Sequence, residues 1–293
     1  MLIHDSCQAA IQACLDTKTF AIARLFSEEK TMRIHIHDCY EVYFSIAGGK
    51  QFLIDNRVYE VESGDVFFIN QFESHYLSKI DRDNHVRVVL SIHPDYLKRF
   101  STEQTDLNRC FTYRDPILGH KVNLSEEERK RFMYYIHKLS EKREFGQDLL
   151  DQTVFLELMT FLNYVFISRC AKIPGSARDG AHSVPSPHQS RIDEILAYID
   201  QHLVEDINIT MLASHFYLNS SYLCKIFKDT TGTTINRYIT AKRISRAKAL
   251  LSEGRPVAET CTLCGFGDYS NFLKAFTKAV GVSPKKYAAY SRY

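Results

Sequence analysis

The side chains with the most chemistry to offer fall in residues 33–48, RIHIHDCYEVYFSIAG. At the two-residue period of a strand, His35, His37, Cys39, Glu41, Tyr43 and Ser45 share one face, while Ile34, Ile36, Tyr40, Val42, Phe44 and Ile46 share the other. Imidazoles in a row with a carboxylate can hydrogen-bond a polar ligand or coordinate a metal ion. Such a row faces either solvent or a cavity. Two histidines in line with a glutamate favour a cavity that holds a polar ligand.

A second kind of chemistry, cationic, lies at the other end of the chain. From Thr210 to Tyr293 there are 13 basic and four acidic residues, a net charge of +9, whereas the whole chain carries +2 and the remainder therefore −7. This is the electrostatic footprint of a nucleic-acid-binding module joined to a mildly acidic partner. Two units in it repeat one design. In TMLASHFYLNSSYLCKIFKDTTG, Leu212, Ala213 and Phe216 line one face of a short helix, the pattern breaks at Leu218-Asn219, and Leu223, Ile226 and Phe227 resume it, with Asn219 as N-cap. In RPVAETCTLCGFGDYSNFLKAFTKAVG, Pro256 suits a first turn, Gly265-Phe266-Gly267 breaks the chain, Asp268 can cap, and Phe272 and Phe276 stack at i, i+4. Each unit reads as helix, turn and second helix, the arrangement that sets a recognition helix in a DNA major groove.

With those apolar residues inward, Ser220, Ser221, Lys225 and Lys228 of the first unit face out, as do Tyr269, Asn271, Lys274 and Lys278 of the second. Ser221, Lys225, Asn271 and Lys274 suit base edges, because lysine pairs with guanine and asparagine with adenine. Lys228 and Lys278, with Arg243 and Arg246 of the connecting helix, suit phosphates. The connecting helix is expected over 235–251, about 25 Å long. It would space two recognition helices for successive major grooves, about 34 Å apart, on slightly bent DNA.

A chain of 293 residues with 45% hydrophobic content can bury two cores. Ile3, Cys7, Ala10, Ile11, Cys14 and Leu15 predict an opening helix. From Phe20 to about His93 short alternating runs between turn signals predict a small barrel or sandwich. Ser125 to Glu128 reads as a capping box before Phe132, Tyr135, Ile136 and Leu139, and a second helix is expected from Gln147 to Arg169. Its broad apolar stripe would cover the barrel; the rest could pair two copies or pack within one chain. Residues 171–190, AKIPGSARDGAHSVPSPHQS, read as a linker, with His182 and His188 solvated, before helix resumes at Ile192. The longest apolar run, Thr153 to Ser168, is too short to span a membrane and is interrupted by Glu157 and Asn163. With Asp5 and Asp16 in place of a basic leader, no signal peptide is expected, and the eight cysteines should be reduced thiols in a cytoplasmic protein. Cys261 and Cys264, with no second pair to complete a zinc site, are expected to pack as buried thiols.

Two resemblances rest on these residues. The last hundred residues, with Tyr222-Leu223, Phe227-Lys228, Gly232, Arg243, Ala247, Gly265-Phe266, Ser270, Phe272, Phe276 and Gly281 before Ser283-Pro284, resemble the DNA-binding domain of AraC/XylS-type transcription regulators. Tyr287-Ala288 departs from the arginine usual after the final aromatic. His35, His37, Glu41 and Gly48 match the first cupin signature and Gly64 to His75 part of the second, although Asn70-Gln71-Phe72 replaces Pro-x-Gly and Lys79 an asparagine. In metal-binding cupins the matching positions would make His35, His37, Glu41 and His75 the ligands. Regulators that pair such a sensor with this DNA-binding domain imply instead a small-effector pocket, often for a sugar and usually without metal; the same groups could also only hydrogen-bond within the barrel.

The expected architecture is thus α+β in two domains. A cupin-like barrel spans 1–120, flanking helices 121–170 pack on it and could also pair copies, a linker covers 171–190, and an all-α domain with two helix-turn-helix motifs spans 191–293. The expected role is a transcription activator and not an enzyme. It would bind promoter DNA as a homodimer, contact RNA polymerase but no membrane, and hold a small effector through His35, His37, Glu41, Tyr43 and His75, with no obligatory cofactor though a divalent metal is possible. A metal-dependent cupin enzyme carrying a DNA-binding tail, and a regulator whose barrel only dimerises, are the alternatives.

Overall fold

The structure is a computed structural model that describes residues 3–26, 34–79, 84–113, 115, 117–142, 144–171, 187–231 and 233–290. Gly232 and most of the expected linker, 172–186 with His182, lie outside the described residues.

Strands β1 (Ile3–His4), β2 (Phe20–Phe26), β3 (Tyr40–Ala47), β4 (Gln51–Ile54), β5 (Arg57–Glu60), β6 (Asp65–Ile69), β7 (His75–Lys79), β8 (Val86–Ile92) and β9 (Lys121–Asn123) build two sheets. The larger has the order β1-β2-β8-β3-β6-β9 and the smaller β5-β4-β7. Pairing is antiparallel except between β1 and β2, where Ile3 lies beside Ile22. That pairing corrects the expected opening helix. Helix α1 (Cys7–Thr17) begins only after Ser6, whose hydroxyl accepts the Ala9 N–H, because Ile3 and His4 are drawn into the sheet edge.

The period-2 pattern of β3 sorts its residues between two cores. Tyr40, Val42 and Phe44 join Phe20, Ile22, Phe68, Val88 and Leu90 under helices. Cys39, Tyr43, Phe67 and Val89 point the other way, meeting Phe52, Ile54 and Leu77 of the smaller sheet and Ala10 and Cys14 of α1. The polar row therefore runs between the sheets: Glu41, Tyr43 and Ser45 are all buried.

The first core is roofed by α2 (Pro94–Phe100), α3 (Arg109–Thr112), α4 (Glu126–Ser140) and α5 (Gln147–Ala171). The capping box of α4 is formed, with Glu128 N–H donating to Ser125 Oγ and Ser125 N–H to the Glu128 carboxylate. Asn163, inside the apolar stripe of α5, is buried and fully used: Oδ1 accepts the Cys110 N–H at 3.0 Å and Nδ2 donates to the Leu107 carbonyl at 2.9 Å. In length and composition α5 could cross a membrane, but here Phe155, Leu158, Leu162 and Phe166 are enclosed against the sheet.

The second half is helical among its described residues: α6 (Pro187–Gln201), α7 (Ile209–His215), α8 (Ser220–Thr231), α9 (Ile235–Ser252), α10 (Val257–Leu263), α11 (Tyr269–Val280) and α12 (Pro284–Tyr290). α6 starts inside the stretch read as linker. Leu212, Leu223 and Phe227 pack with Ile195, Leu196, Ile199 and Tyr238, and Phe272 and Phe276 pack with Ile244, Ala247, Leu251 and Tyr287, so α9 supplies one side of both cores.

Candidate effector site and nucleic-acid interface

His35, His37, Glu41 and His75 come together between the sheets. Their ligand atoms lie within 4.8 Å of one another. His75 arrives on β7, beside Ile54 of β4, and its backbone exchanges two hydrogen bonds of 3.1 Å with that of His35. His37 sits in the irregular approach to β3, where the Phe72 N–H donates to its carbonyl at 3.0 Å. His37, Glu41 and His75 are buried and His35 is half-buried.

Hydrogen bonds orient two of the rings. Nδ1 of His37 lies 2.9 Å from the Cys39 carbonyl and Nδ1 of His75 lies 3.0 Å from the Glu73 carbonyl. A carbonyl oxygen only accepts, so both Nδ1 atoms carry the proton and both Nε2 atoms turn toward Glu41. His37 Nε2 is 3.0 Å from Glu41 Oε2 and His75 Nε2 is 3.7 Å from the same oxygen. Burial opposes charge on His37, but Cys39 and Glu41 outweigh it and raise its pKa to about 9. For His75 burial is again opposed, chiefly by Glu41, and its pKa is raised. Burial would raise Glu41, but His75 and His37 hold it well below the usual carboxylate range. Tyr43 faces elsewhere: its hydroxyl is 2.8 Å from His85 Nε2, and His85 Nδ1 is 3.0 Å from Arg87.

The two helix pairs of the second half share a geometry. Phe216 is the C-cap of α7 and Tyr217 follows with φ 53°; Cys264 is the C-cap of α10 and Gly265 follows with φ 79°. In each the left-handed residue turns the chain into the next helix. Asn219 Oδ1 accepts the Ser221 N–H at 2.8 Å and Asp268 Oδ1 the Asn271 N–H at 2.6 Å, as the caps predict. A Cβ on Gly265 would stand 2.6 Å from the Leu203 carbonyl oxygen, so the glycine also permits close approach. Tyr217 is a bulky side chain in a conformation that favours glycine, and nothing in the sequence pattern signals it.

Ser221, Lys225 and Lys228 on α8 and Tyr269, Asn271, Lys274 and Lys278 on α11 are exposed, and Ser220 is half-buried. Arg246 is exposed on α9. Arg243 departs from its expected phosphate role. Its Nε donates to the Leu203 carbonyl at 3.0 Å and its Nη2 to the Glu205 carbonyl at 2.7 Å, so it ties α9 to the segment between α6 and α7.

The contact between the halves went unread in the sequence. Tyr238, Lys242, Ser245 and Lys248 recur at helical spacing along one face of α9. The Tyr238 hydroxyl donates to the Asp55 carbonyl at 2.8 Å, and Lys242 pairs with the carboxylates of Asp55 and of Asp200, the latter at 2.7 Å. The Ser245 hydroxyl donates to the Phe72 carbonyl, and Lys248 pairs with Asp38 above the Phe72 ring. Ile34 and Ile36, expected on the apolar face of a strand, pack instead into the two helical cores. The residues flanking the histidine cluster are thus those that hold α9.

Comparison with known proteins divides the chain in the same place. Residues 20–159 match the model of the AraC-like ligand binding domain and residues 212–290 that of a helix-turn-helix domain. The probable transcriptional regulator LumQ of Photobacterium leiognathi is 36% identical over 96 residues, 32% of this chain and 39% of that protein. The arabinose operon regulatory protein of Escherichia coli (strain K12) is 34% identical over 109 residues, 36% of this chain and 37% of the other. The transcriptional activator RhaS of Enterobacter sp. (strain 638) is 23% identical over 259 residues, 86% of each chain. The first curated relatives are therefore matched over well under half their length.

Proposed function

This chain belongs to the AraC family of transcription regulators, and we propose that it binds a specific DNA sequence with both helix pairs under control of a small effector held in its N-terminal half. The supporting observation is the equivalence of the two pairs. Each has a capped second helix whose outer face carries exposed lysines, with Ser221 beside them on α8 and Asn271 on α11, and both are braced by α9. At 18 residues α9 is about 27 Å long, short of the roughly 34 Å between successive major grooves on one DNA face, a difference that slight bending of the DNA would close. Lys225 and Lys274, exposed on α8 and α11, would meet base edges, and Lys228 and Lys278, with Arg246 of α9, would meet phosphates. AraC-family regulators act on DNA rather than as enzymes, so a cupin enzyme with a DNA-binding tail is set aside.

In this reading the two sheets form a cupin-like barrel, the effector occupies the space bordered by His35, His37, Glu41 and His75, and the protein activates transcription in the cytoplasm with RNA polymerase as partner. Tyr134, Phe145, Leu149 and Tyr164 leave an apolar surface around α4 and α5 that would pair two copies. The contact along α9 is where the state of the sensor reaches the DNA-binding half. Selective recovery and sequencing of fragmented genomic DNA by the full-length protein tests the proposal. Discrete peaks sharing a repeated half-site support it, and recovery no different from random DNA by the folded protein overturns it.

A further inference from the structure

Beyond that reading, we infer that the N-terminal half carries a second ligand site, built on Arg87 and Tyr43, for the carboxylate of a small organic acid. Arg87 is one of the largest side chains the fold encloses, 1% exposed, on β8 between Leu25 of β2 and Ser45 of β3. Its guanidinium is always charged. Among the described residues its hydrogen-bond contact is Nη1 with His85 Nδ1 at 3.0 Å, and Nε is enclosed with no partner. The carboxylates on the same inner surface are engaged elsewhere, Asp65 with Lys121 at 2.8 Å and Glu41 with His37 at 3.0 Å. A charge taken out of water without a counter-charge is costly, so an anion bound here stabilises the folded chain. Hydrogen-bond directions add a second donor. A guanidinium only donates, so His85 Nδ1 accepts and the ring proton sits on Nε2. Nε2 then donates to the Tyr43 hydroxyl at 2.8 Å, which leaves the phenol proton to be given to another acceptor. Tyr43 and Arg87 therefore present donors from the two ends of the His85 ring.

These donors select the ligand. With Nη1 engaged, Nε and Nη2 remain as the fork that fits a planar carboxylate through two parallel bonds. A water or a sugar hydroxyl satisfies the nitrogen but leaves the charge, and a phosphate dianion replaces it with a buried negative one. One carboxylate balances one guanidinium. The walls are apolar: Leu25 lies beside Arg87, and the Tyr43 ring stands 5.0 Å from Phe52 and 5.9 Å from Phe67. The rest of the ligand is therefore a short apolar chain without a second charge. Gly49 bounds the phenol end. A Cβ there would stand 3.6 Å from the Tyr43 hydroxyl and 3.1 Å from Val61, so the glycine leaves the space beside the phenol to a ligand. The site is separate from the histidine cluster, since Ser45, opposite Arg87, is four residues along β3 from Glu41, about 13 Å.

The test is calorimetric titration of the full-length protein with sodium formate, acetate, propanoate and butanoate, with the corresponding amides, and with sodium chloride and phosphate at equal ionic strength. At least one of the acids should bind at one per chain and raise the unfolding midpoint by mass action, while the amides, chloride and phosphate should not. Arg87→Lys keeps the charge and loses the fork, and Tyr43→Phe loses one donor; each should weaken binding about tenfold or more, the share of a hydrogen bond to a charged group. Arg87→Met should abolish binding yet unfold no lower than ligand-free wild type, because it removes an uncompensated buried charge, whereas loss of a guanidinium that only braces the sheets would lower the midpoint. Arg24→Met, at an exposed position of β2, should bind as wild type does. No saturable binding of any of the four acids by folded wild-type protein, equal binding of the amides, or affinity unchanged in both Arg87→Lys and Tyr43→Phe overturns the site. Chloride or phosphate binding as tightly as the acids overturns its assignment to an organic acid.

Discussion

Lys248 is a buried ammonium group, 4% exposed, whose carboxylate partner Asp38 comes from the other half of the molecule. Asp38→Ala leaves that charge beside the rings of Phe72 and Tyr287, 5.7 and 5.5 Å away. Stripping one partner from a buried pair costs about 3–5 kcal/mol. Because the Asp38 side chain is 31% exposed, solvent already screens the pair, and about 2–3 kcal/mol is the better expectation. The molecule need not bear this cost in the closed state, since the contact along α9 can open and return the ammonium to water. Amide hydrogen exchange in residues 34–38 and along α9 should therefore speed up by about 30- to 150-fold, at 1.4 kcal/mol per factor of ten. Lys248→Met keeps the stem and removes the charge, so it should cost little, and the double variant should resemble it. Unchanged exchange in Asp38→Ala, or additive effects of the two substitutions, would refute the idea that this pair latches the halves.

Other predictions follow from single side chains. Lys274→Ala on α11 should relax preference at one base pair by about 1–3 kcal/mol, while Lys228→Ala on α8 should weaken binding to all sequences and reduce the salt slope by about 0.9; titrations against specific and random DNA at several salt concentrations check both. Asn163→Leu should destabilise the N-terminal half by about 1–3 kcal/mol for each buried backbone group it abandons, the Cys110 N–H and the Leu107 carbonyl, as read by denaturant unfolding. Gly265→Ala should destabilise the second helix pair by more than about 1 kcal/mol, since the added Cβ meets the Leu203 carbonyl and the backbone keeps φ 79°; circular dichroism melts and loss of DNA affinity report it.

Much of the helical half was legible because its signals are local. Asn219 and Asp268 announce two helix starts, Leu223 with Phe227 and Phe272 with Phe276 set the buried faces, and α9 ends within a residue of its expected limit. The capping box at Ser125 was equally readable. In the sensor, strand parity correctly grouped His37, Glu41 and Tyr43 on the inner side, yet parity cannot say which groups meet. Tyr43 lies too far along β3 to join the histidines and turns to His85 instead. Ile34 and Ile36 look like any strand's apolar face, but their partners lie some two hundred residues later, and no local pattern encodes that pairing. Asp38 and Asp55 carry no signal of a partner, and Lys242 and Lys248 counted only as positive charge, until the fold set them against each other. β1 and α3 were missed because two and four residues are too short for periodicity to register.

The central claim is that one chain reads two successive major grooves with α8 and α11. Hydroxyl-radical footprinting of the full-length protein on a recovered DNA fragment addresses it directly. Two protected patches per half-site, on one face of the duplex and about 10–10.5 base pairs apart, are predicted, with Lys228→Ala weakening one patch and Lys278→Ala the other. A single patch per half-site, or uniform protection along the fragment, would contradict the account.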